Sequence, residues 1–232
     1  LFPYTTLFRS YCRRFMNNEH TLIGNNGLTI EDLASFWQAI AKEFSTFKNI
    51  YGYGLMNEPH DLAPETKWFD MAQASINAIR EVDTNTLIMV GGNDWSSAER
   101  WIEQSDTLKF LKDPANNLAF EAHVYFDKDA SGTYKYSYEE EECYPEKGID
   151  RVKPFVEWIK QNKFHGFIGE YGIPDNDPRW NETLDLFLGY LQENGINGTY
   201  WAAGPWWDTY FMAITPKDGK DRPQMPIIRS EE

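Results

Sequence analysis

TLIMV, residues 86–90, is a short apolar run typical of a buried β-strand, and GGNDW, residues 91–95, follows it with turn-forming residues. A helix is predicted from Ser97 onward. The same order of strand, polar turn and helix recurs along the chain, with strand ends near Met56, Val90, His123, Glu170 and Trp201. Apolar strands that alternate with helices predict parallel βαβ units whose sheet is buried on both faces.

The remaining elements follow from the spacing of apolar residues. Thr29 and Asp32 resemble a capping box, and apolar residues at spacings of three and four predict an amphipathic helix between Thr29 and Asn49. Further helices are predicted at 64–82, from about Asp150, and at 180–193. Strands are predicted at 50–56, 118–125, 167–170 and 198–201, with a long loop at 127–148.

The fold class is predicted to be α/β. No glycine-rich phosphate loop opens a helix, and the polar residues follow the strands, which favours a (β/α)8 TIM barrel over a nucleotide-binding doubly wound sheet. Eight βα units typically need about 250 residues. The five strands recognised here therefore predict a barrel lacking roughly its first three strands.

The first ten residues differ from the rest. Residues 1–10 have no basic region, apolar core or small-residue cleavage site, so we interpret them as a non-native segment resembling translated adapter sequence. No linker-like composition break follows, which predicts one domain, a partial (β/α)8 domain at 11–232. Because a complete barrel takes about 250 residues, we expect a strand-rich segment of about 70–100 residues upstream of Tyr11 in the source reading frame.

Composition limits the partners. The net charge of −14 argues against nucleic acid, and no apolar run reaches the roughly 20 residues that span a bilayer, which argues against a membrane partner. Aromatic residues make up 16% of the chain, which suits a carbohydrate cleft, although most of these rings are expected to pack in a core. Spacing leaves open whether Cys12 and Cys143 pair.

Two glutamates carry the functional hypothesis. Glu58 and Glu170 each end a short apolar run, and hydrolysis of a glycosidic bond needs two carboxyl groups. Either one alone is more commonly a loop residue or a charge at a helix N-terminus. The four histidines lack the spacing of a metal-ligand set, so no metal and no cofactor are predicted.

Four motifs in order resemble a glycoside hydrolase of family 5, on its cellulase (endo-β-1,4-glucanase) side, from about Tyr11 to the C-terminus. They are Leu55-Met56-Asn57-Glu58-Pro59-His60, His123-Val124-Tyr125, Ile168-Gly169-Glu170-Tyr171-Gly172 and Tyr200-Trp201-Ala202-Ala203-Gly204-Pro205-Trp206-Trp207. The resemblance implies a β-linked polysaccharide or oligosaccharide as substrate. It also implies a retaining double displacement, with Glu58 as acid/base and Glu170 as nucleophile.

The resemblance also implies roles for the neighbouring residues. Tyr125 would donate a hydrogen bond to the nucleophile, His123 would lie near the acid/base, and Asn57 would hold the sugar 2-hydroxyl. Trp201 would stack beneath the sugar ring, and weaker candidates for neighbouring sugar subsites are Trp95, Trp206 and Trp207. The family's arginine and histidine from its second and third strands have no counterpart assigned here, because Phe8-Arg9-Ser10 occupies that place.

Several alternatives stay open. The substrate could be mannan or xylan, because subsite residues in loops, especially 127–148, decide the sugar. The chain could also be a non-catalytic carbohydrate-binding barrel fragment. Keeping both glutamates favours the enzyme. An incomplete barrel exposes strand edges, which predicts impaired activity and self-association through the open edge. A polymeric glucan cannot enter a cell, which predicts a secreted, extracellular protein.

Overall fold

The computed structural model describes residues 12–16 and 18–230. The interpretation of residues 1–10 therefore lies outside the described residues. The helices and strands, in chain order, are β1 (Arg13–Met16), β2 (Glu19–Leu22), α1 (Ile30–Phe44), β3 (Gly52–Gly54), α2 (Trp68–Arg80), β4 (Leu87–Gly91), α3 (Asn93–Ser96), α4 (Trp101–Ser105), β5 (Leu118–Tyr125), α5 (Lys147–Asn162), β6 (His165–Gly172), α6 (Arg179–Glu193), β7 (Asn197–Tyr200) and α7 (Met225–Ser230). Short 3₁₀ segments lie at Asp106–Phe110 and Pro205–Trp207.

Five of the strands form one parallel sheet in the order β3-β4-β5-β6-β7. Because each strand lies beside the next one in sequence, the sheet curls into a half-barrel with its helices outside. The predicted α/β barrel lacking several strands is thus confirmed. Within the described residues, β3 and β7 each pair on one side only.

Buried indole rings join the helices to the ends of the strands. Trp37 of α1 donates a 3.1 Å hydrogen bond from Nε1 to the carbonyl oxygen of Leu55, just after β3. Trp68 of α2 donates a 2.7 Å hydrogen bond to the carbonyl oxygen of Gly91, at the end of β4. Both rings are almost fully buried, so each contributes apolar packing and also satisfies a strand-end carbonyl group. These contacts hold the chain where β3 and β4 end and the loops after them begin.

Several bounds differ from those predicted. Helix α1 ends at Phe44 rather than near Asn49, and α2 begins at Trp68 rather than near residue 64. The helix predicted from Ser97 begins only at Trp101, because Ser97 is extended and pairs with His123. The preceding Asp94, Trp95 and Ser96 all have left-handed backbone conformations (φ 54°, 56° and 55°), so α3 is not a regular helix. Three such residues in a row end any regular helix.

Two further elements were not predicted from the sequence. The antiparallel hairpin β1–β2 precedes α1, and α7 lies at the C-terminal end of the described chain. None of the helices in the described ranges has the length and apolar character needed to cross a membrane.

Candidate active site

Strand β5 presents three polar side chains in a row on one face. Glu121, His123 and Tyr125 alternate with apolar residues, so all three point to the same side of the sheet. Glu58 follows β3, and the register of β5 with β6 places Glu170 directly opposite His123. The carboxyl ends of parallel strands meet at one edge of a sheet, so these residues come together there.

A β-bulge sets the direction of Glu170. Ala122 pairs with Ile168 and His123 pairs with Glu170, so Gly169 is an extra residue in β6. If the regular pairing continued without the bulge, His123 would pair with Gly169, and Glu170 would point to the other side of the sheet. The bulge therefore brings Glu170 onto the face that carries His123.

His123 lies between the two carboxylates. Its Nδ1 is 2.7 Å from Glu58 Oε1 and 3.6 Å from Glu170 Oε2. One carboxylate oxygen of Glu58, one of Glu170 and one ring nitrogen of His123 all lie within 4.8 Å of one another. Nδ1 is within hydrogen-bonding distance of Glu58, whereas Glu170 lies at the longer distance of a charge contact. That no metal is required stays a prediction.

The surroundings of His123 favour its charged form. Burial alone would lower the pKa of His123, but the charge of Glu170 and hydrogen bonds to Glu121 and Glu58 outweigh it and raise the pKa to about 10. The raised pKa favours the doubly protonated imidazole, in which both ring nitrogens can donate hydrogen bonds.

Tyr125 contacts the second carboxylate, that of Glu170. Its hydroxyl group donates a 2.8 Å hydrogen bond to Glu170 Oε2. Burial, together with the charge of Glu170 and this hydrogen bond, raises the pKa of Tyr125 well above its usual value. The phenol therefore stays protonated and remains a donor throughout the range in which carboxyl groups titrate.

The loop after β3 is held by an aromatic stack. Glu58 has a left-handed backbone (φ 46°), an unfavourable conformation for a residue with a side chain. His60 donates a 2.5 Å hydrogen bond from Nδ1 to the carbonyl oxygen of Glu58, and its ring stacks on Trp95 at 4.7 Å with an interplanar angle of 15°. This stack ties the Glu58 loop to the segment after β4.

A cavity of about 320 Å³ opens beside His123. Its lining includes Glu58, His123, Tyr125 and Trp95. The Trp95 side chain is 44% exposed, so part of the ring is available to a ligand. The cavity thus combines a flat aromatic surface with the carboxylate of Glu58.

The loop that follows β5 is built around a buried carboxylate. Asp127 is fully buried and accepts hydrogen bonds from the backbone N–H groups of Gly132, Thr133 and Tyr134 and from the Ser131 hydroxyl. The Tyr134 hydroxyl in turn donates a 2.6 Å hydrogen bond to the carbonyl oxygen of Gly172, at the end of β6. This loop therefore joins the ends of β5 and β6 on the side of the cavity.

The remaining predicted residues lie around this centre. Asn57 is buried next to Glu58, and Trp201 follows β7, with its backbone N–H bonded to the carbonyl oxygen of Tyr171 at 2.8 Å. The Trp201 ring packs against Trp207 at 4.9 Å. None of Asn57, Trp201, Trp206 and Trp207 is among the residues that line the cavity, and Trp206 is 90% exposed.

One residue of this cluster was not recognised from the sequence. Glu121 contacts His123 Nε2 at 3.3 Å and is buried, whereas the apolar run around it was interpreted only as a strand. The signal was present, because a carboxylate inside a buried strand is uncommon unless it has a partner. Its position two residues before His123 places both side chains on one face.

Comparison with protein families gives one match over most of the chain. Residues 13–206 match the model described as cellulase (glycosyl hydrolase family 5). Endo-beta-1,4-glucanase B of Emericella nidulans is 36% identical over 193 residues, which cover 81% of this chain and 56% of that protein. The chain therefore spans somewhat more than half the length of this relative.

Solved structures agree with this match. The Pseudomonas stutzeri endoglucanase Cel5A, in complex with cellobiose, is 41% identical with a TM-score of 0.86, over 95% of this chain and 65% of that one. XacCel5A, in complex with cellopentaose, is 37% identical with a TM-score of 0.82, over 91% of this chain and 69% of that one.

Proposed function

The chain belongs to the cellulase family of glycosyl hydrolases, family 5, and from this membership we propose that it carries the catalytic centre of an endo-β-1,4-glucanase. The substrate would be cellulose or a related β-glucan, cut at internal bonds. The cellobiose and cellopentaose bound by the two solved relatives support a β-glucan chain as the ligand.

One observation carries the proposal. An oxygen of Glu58 and an oxygen of Glu170 lie within 4.8 Å of each other, and both glutamates contact Nδ1 of His123. Retaining glycosidases hold their two carboxyl groups about 5–5.5 Å apart, whereas inverting enzymes leave about 6.5–9.5 Å for a water molecule. The short separation favours a double displacement with retention of configuration.

In the first step, Glu170 attacks the anomeric carbon while Glu58 gives its proton to the glycosidic oxygen. The bond to the leaving sugar breaks as the glycosyl-enzyme bond forms. In the second step, Glu58 takes a proton from water, whose oxygen attacks the same carbon and releases Glu170. Each carboxyl group then returns to its starting state.

The neighbouring side chains suit these two roles. The hydrogen bond from Tyr125 orients Glu170, and the hydrogen bond from His123 orients Glu58. Asn57, buried beside Glu58, is proposed to bind the sugar 2-hydroxyl group, a contact that strengthens in the oxocarbenium-like transition state. Trp201 is proposed to stack under the sugar at the cleavage point, and Trp95 and Trp207 to extend the binding surface.

Two alternatives keep some support. A β-mannanase or xylanase could use the same pair of carboxylates, because the sugar is selected by loops such as 127–148. A non-catalytic carbohydrate-binding protein would need the aromatic rings but not the trio of Glu58, His123 and Glu170. The hydrogen-bonded carboxylates therefore favour catalysis over binding alone.

The site of action follows from the substrate. A polymeric glucan does not cross a cell membrane, so we propose that the enzyme is secreted and acts outside the cell. Activity in the culture medium, rather than in washed cells of the source, would support this, and activity confined to the cells would contradict it.

The experiment uses the complete protein encoded by the reading frame that contains these residues. Hydrolysis of an aryl β-cellobioside and of soluble β-glucan, mannan and xylan is measured for wild type, Glu58→Gln, Glu170→Gln and the exposed control Glu193→Gln. We expect wild type and the Glu193→Gln control to hydrolyse β-glucan in preference to mannan and xylan. We expect Glu58→Gln and Glu170→Gln to lose this activity. A preference for mannan, or full activity in a site variant, would contradict the proposal.

A further inference from the structure

Glu121 is a buried carboxylate that the proposed reaction does not use. It lies in the middle of β5, 6% exposed, and its Oε1 is 3.3 Å from His123 Nε2. This nitrogen is on the opposite side of the imidazole ring from Nδ1, which faces Glu58 and Glu170. His123 therefore has a carboxylate on each side.

The neighbouring strands leave room for this carboxylate. A Cβ atom on Gly169 would lie 2.0 Å from Glu121 Oε1, and a Cβ atom on Gly54 would lie 3.7 Å from Oε2. Gly169 is also the extra residue of the bulge that turns Glu170 toward His123. The same glycine thus makes space for Glu121 and directs Glu170 to the face that His123 occupies.

An ionised carboxylate is costly to bury unless it is paired and hydrogen-bonded. The charged groups that face His123 from the described elements are Glu58 after β3, Glu121 on β5 and Glu170 on β6. A doubly protonated imidazole satisfies carboxylates on both of its sides, whereas a neutral imidazole carries only one N–H group. The arrangement of charges thus favours the imidazolium.

We propose that Glu121 is a positioning residue that keeps His123 doubly protonated, so that Nδ1 can only donate a hydrogen bond to Glu58. An imidazolium has no lone pair with which to accept a proton. The positive charge of His123 also stabilises the ionised form of Glu58, so Glu58 becomes a stronger acid toward the glycosidic oxygen and cannot lose its proton to Nδ1. A neutral His123 with an unprotonated Nδ1 would instead compete for this proton. The inference rests on the proposed role of Glu58.

The first test needs no activity. The ring nitrogens of His123 are followed by NMR from pH 5 to about 10.5, with the signal assigned by its loss in His123→Asn among the four histidines of the chain. In wild type we expect the imidazolium to persist beyond pH 9. In Glu121→Gln, which keeps the shape but removes the charge, we expect the midpoint to fall by at least about one pH unit.

Two further variants separate this role from simple packing. Gly169→Ala keeps the charge but displaces the carboxylate, and it is expected to shift the midpoint in the same direction. Glu141→Gln removes another buried carboxylate, one that hydrogen-bonds to the backbone of Lys128 and Tyr136, and should leave the midpoint unchanged. If Glu121→Gln does not fold, Glu121→Met, which keeps the length of the side chain without the charge, takes its place. An unchanged midpoint in the folded variants would overturn the proposal.

The second test measures kcat/KM against pH in the complete protein. Glu121→Gln is expected to lose activity at a lower pH on the alkaline side than wild type, by the same shift that NMR records. A pH-independent loss of rate would indicate a structural role only and would overturn the proposal. Inactive wild type, with the NMR shift present, would refute the proposed function but not the control of His123 by Glu121.

Discussion

The Tyr125 hydroxyl donates a 2.8 Å hydrogen bond to the Glu170 carboxylate from the neighbouring strand. Both side chains are buried, and Tyr125 is held at its backbone by Arg151, which donates a hydrogen bond to its carbonyl oxygen. The phenol thus orients Glu170 through its Oε2 oxygen. This relationship gives the first prediction.

Replacing Tyr125 with phenylalanine should lower kcat/KM for an aryl β-cellobioside by about 10- to 100-fold. A hydrogen bond to a charged group contributes roughly 1.5–3 kcal/mol, and its loss leaves Glu170 less well oriented. Tyr136→Phe is the matched control, because the Tyr136 side chain is 60% exposed. Equal activity in the two variants would show that the phenol has no role in the reaction.

The tryptophans after β7 should differ in their effect on substrate binding. Trp201→Ala removes a ring that packs against Trp207 near the end of β7 and should lower kcat/KM for cello-oligosaccharides at least about tenfold. Trp206→Ala should change it little, because Trp206 is 90% exposed. Kinetics on oligosaccharides of increasing length measure both effects. A larger loss in Trp206→Ala would mean that the exposed ring, rather than Trp201, binds the sugar.

His123 should make stability depend on pH in the alkaline range. Burial opposes its charged form, but the nearby carboxylates raise the folded-state pKa to about 10, whereas an unfolded histidine titrates near 6.5. A raised pKa stabilises the fold fully below about pH 6.5, and this contribution is lost as the pH rises toward 10. The difference in Tm between wild type and His123→Asn should therefore shrink from pH 6.5 to 10. Parallel Tm curves would contradict a charged His123.

The open sheet should promote self-association of the 232-residue chain. Within the described residues, β3 and β7 each pair on one side only, and unpaired strand edges readily pair with another chain. We expect sedimentation to show dimers or larger species, together with low hydrolytic activity. A stable monomer with robust turnover of carboxymethylcellulose would contradict this expectation.

The sequence predicted best what apolar periodicity determines. Strand β5 has the bounds predicted for it, since its residues are almost all buried and turn residues follow it. Parallel strands bring their carboxyl ends together, which is why two glutamates 112 residues apart, Glu58 and Glu170, could be expected at one site. The hairpin β1–β2 was missed because its residues are largely polar and charged.

The geometry within the site could not be predicted in the same way. The bulge at Gly169, the left-handed residues around Trp95 and the stacking of Trp95 on His60 depend on contacts between distant segments. Glu121 was missed because a periodic pattern classifies it by its apolar neighbours, and only the structure places its carboxylate beside His123. Side-chain pairing across strands is a tertiary property that local sequence does not encode.

In the proposed mechanism, Glu170 forms a bond to the sugar, and Glu58 first donates and then accepts a proton. The most direct test is to trap the glycosyl-enzyme on the complete protein with a fluorinated cellobioside that carries an activated leaving group, and to map the added mass by peptide sequencing. We expect one fluorocellobiosyl group on the carboxylate of Glu170, which is released again with retained configuration. A label on another residue, or turnover that inverts the anomeric centre without a covalent intermediate, would contradict this mechanism.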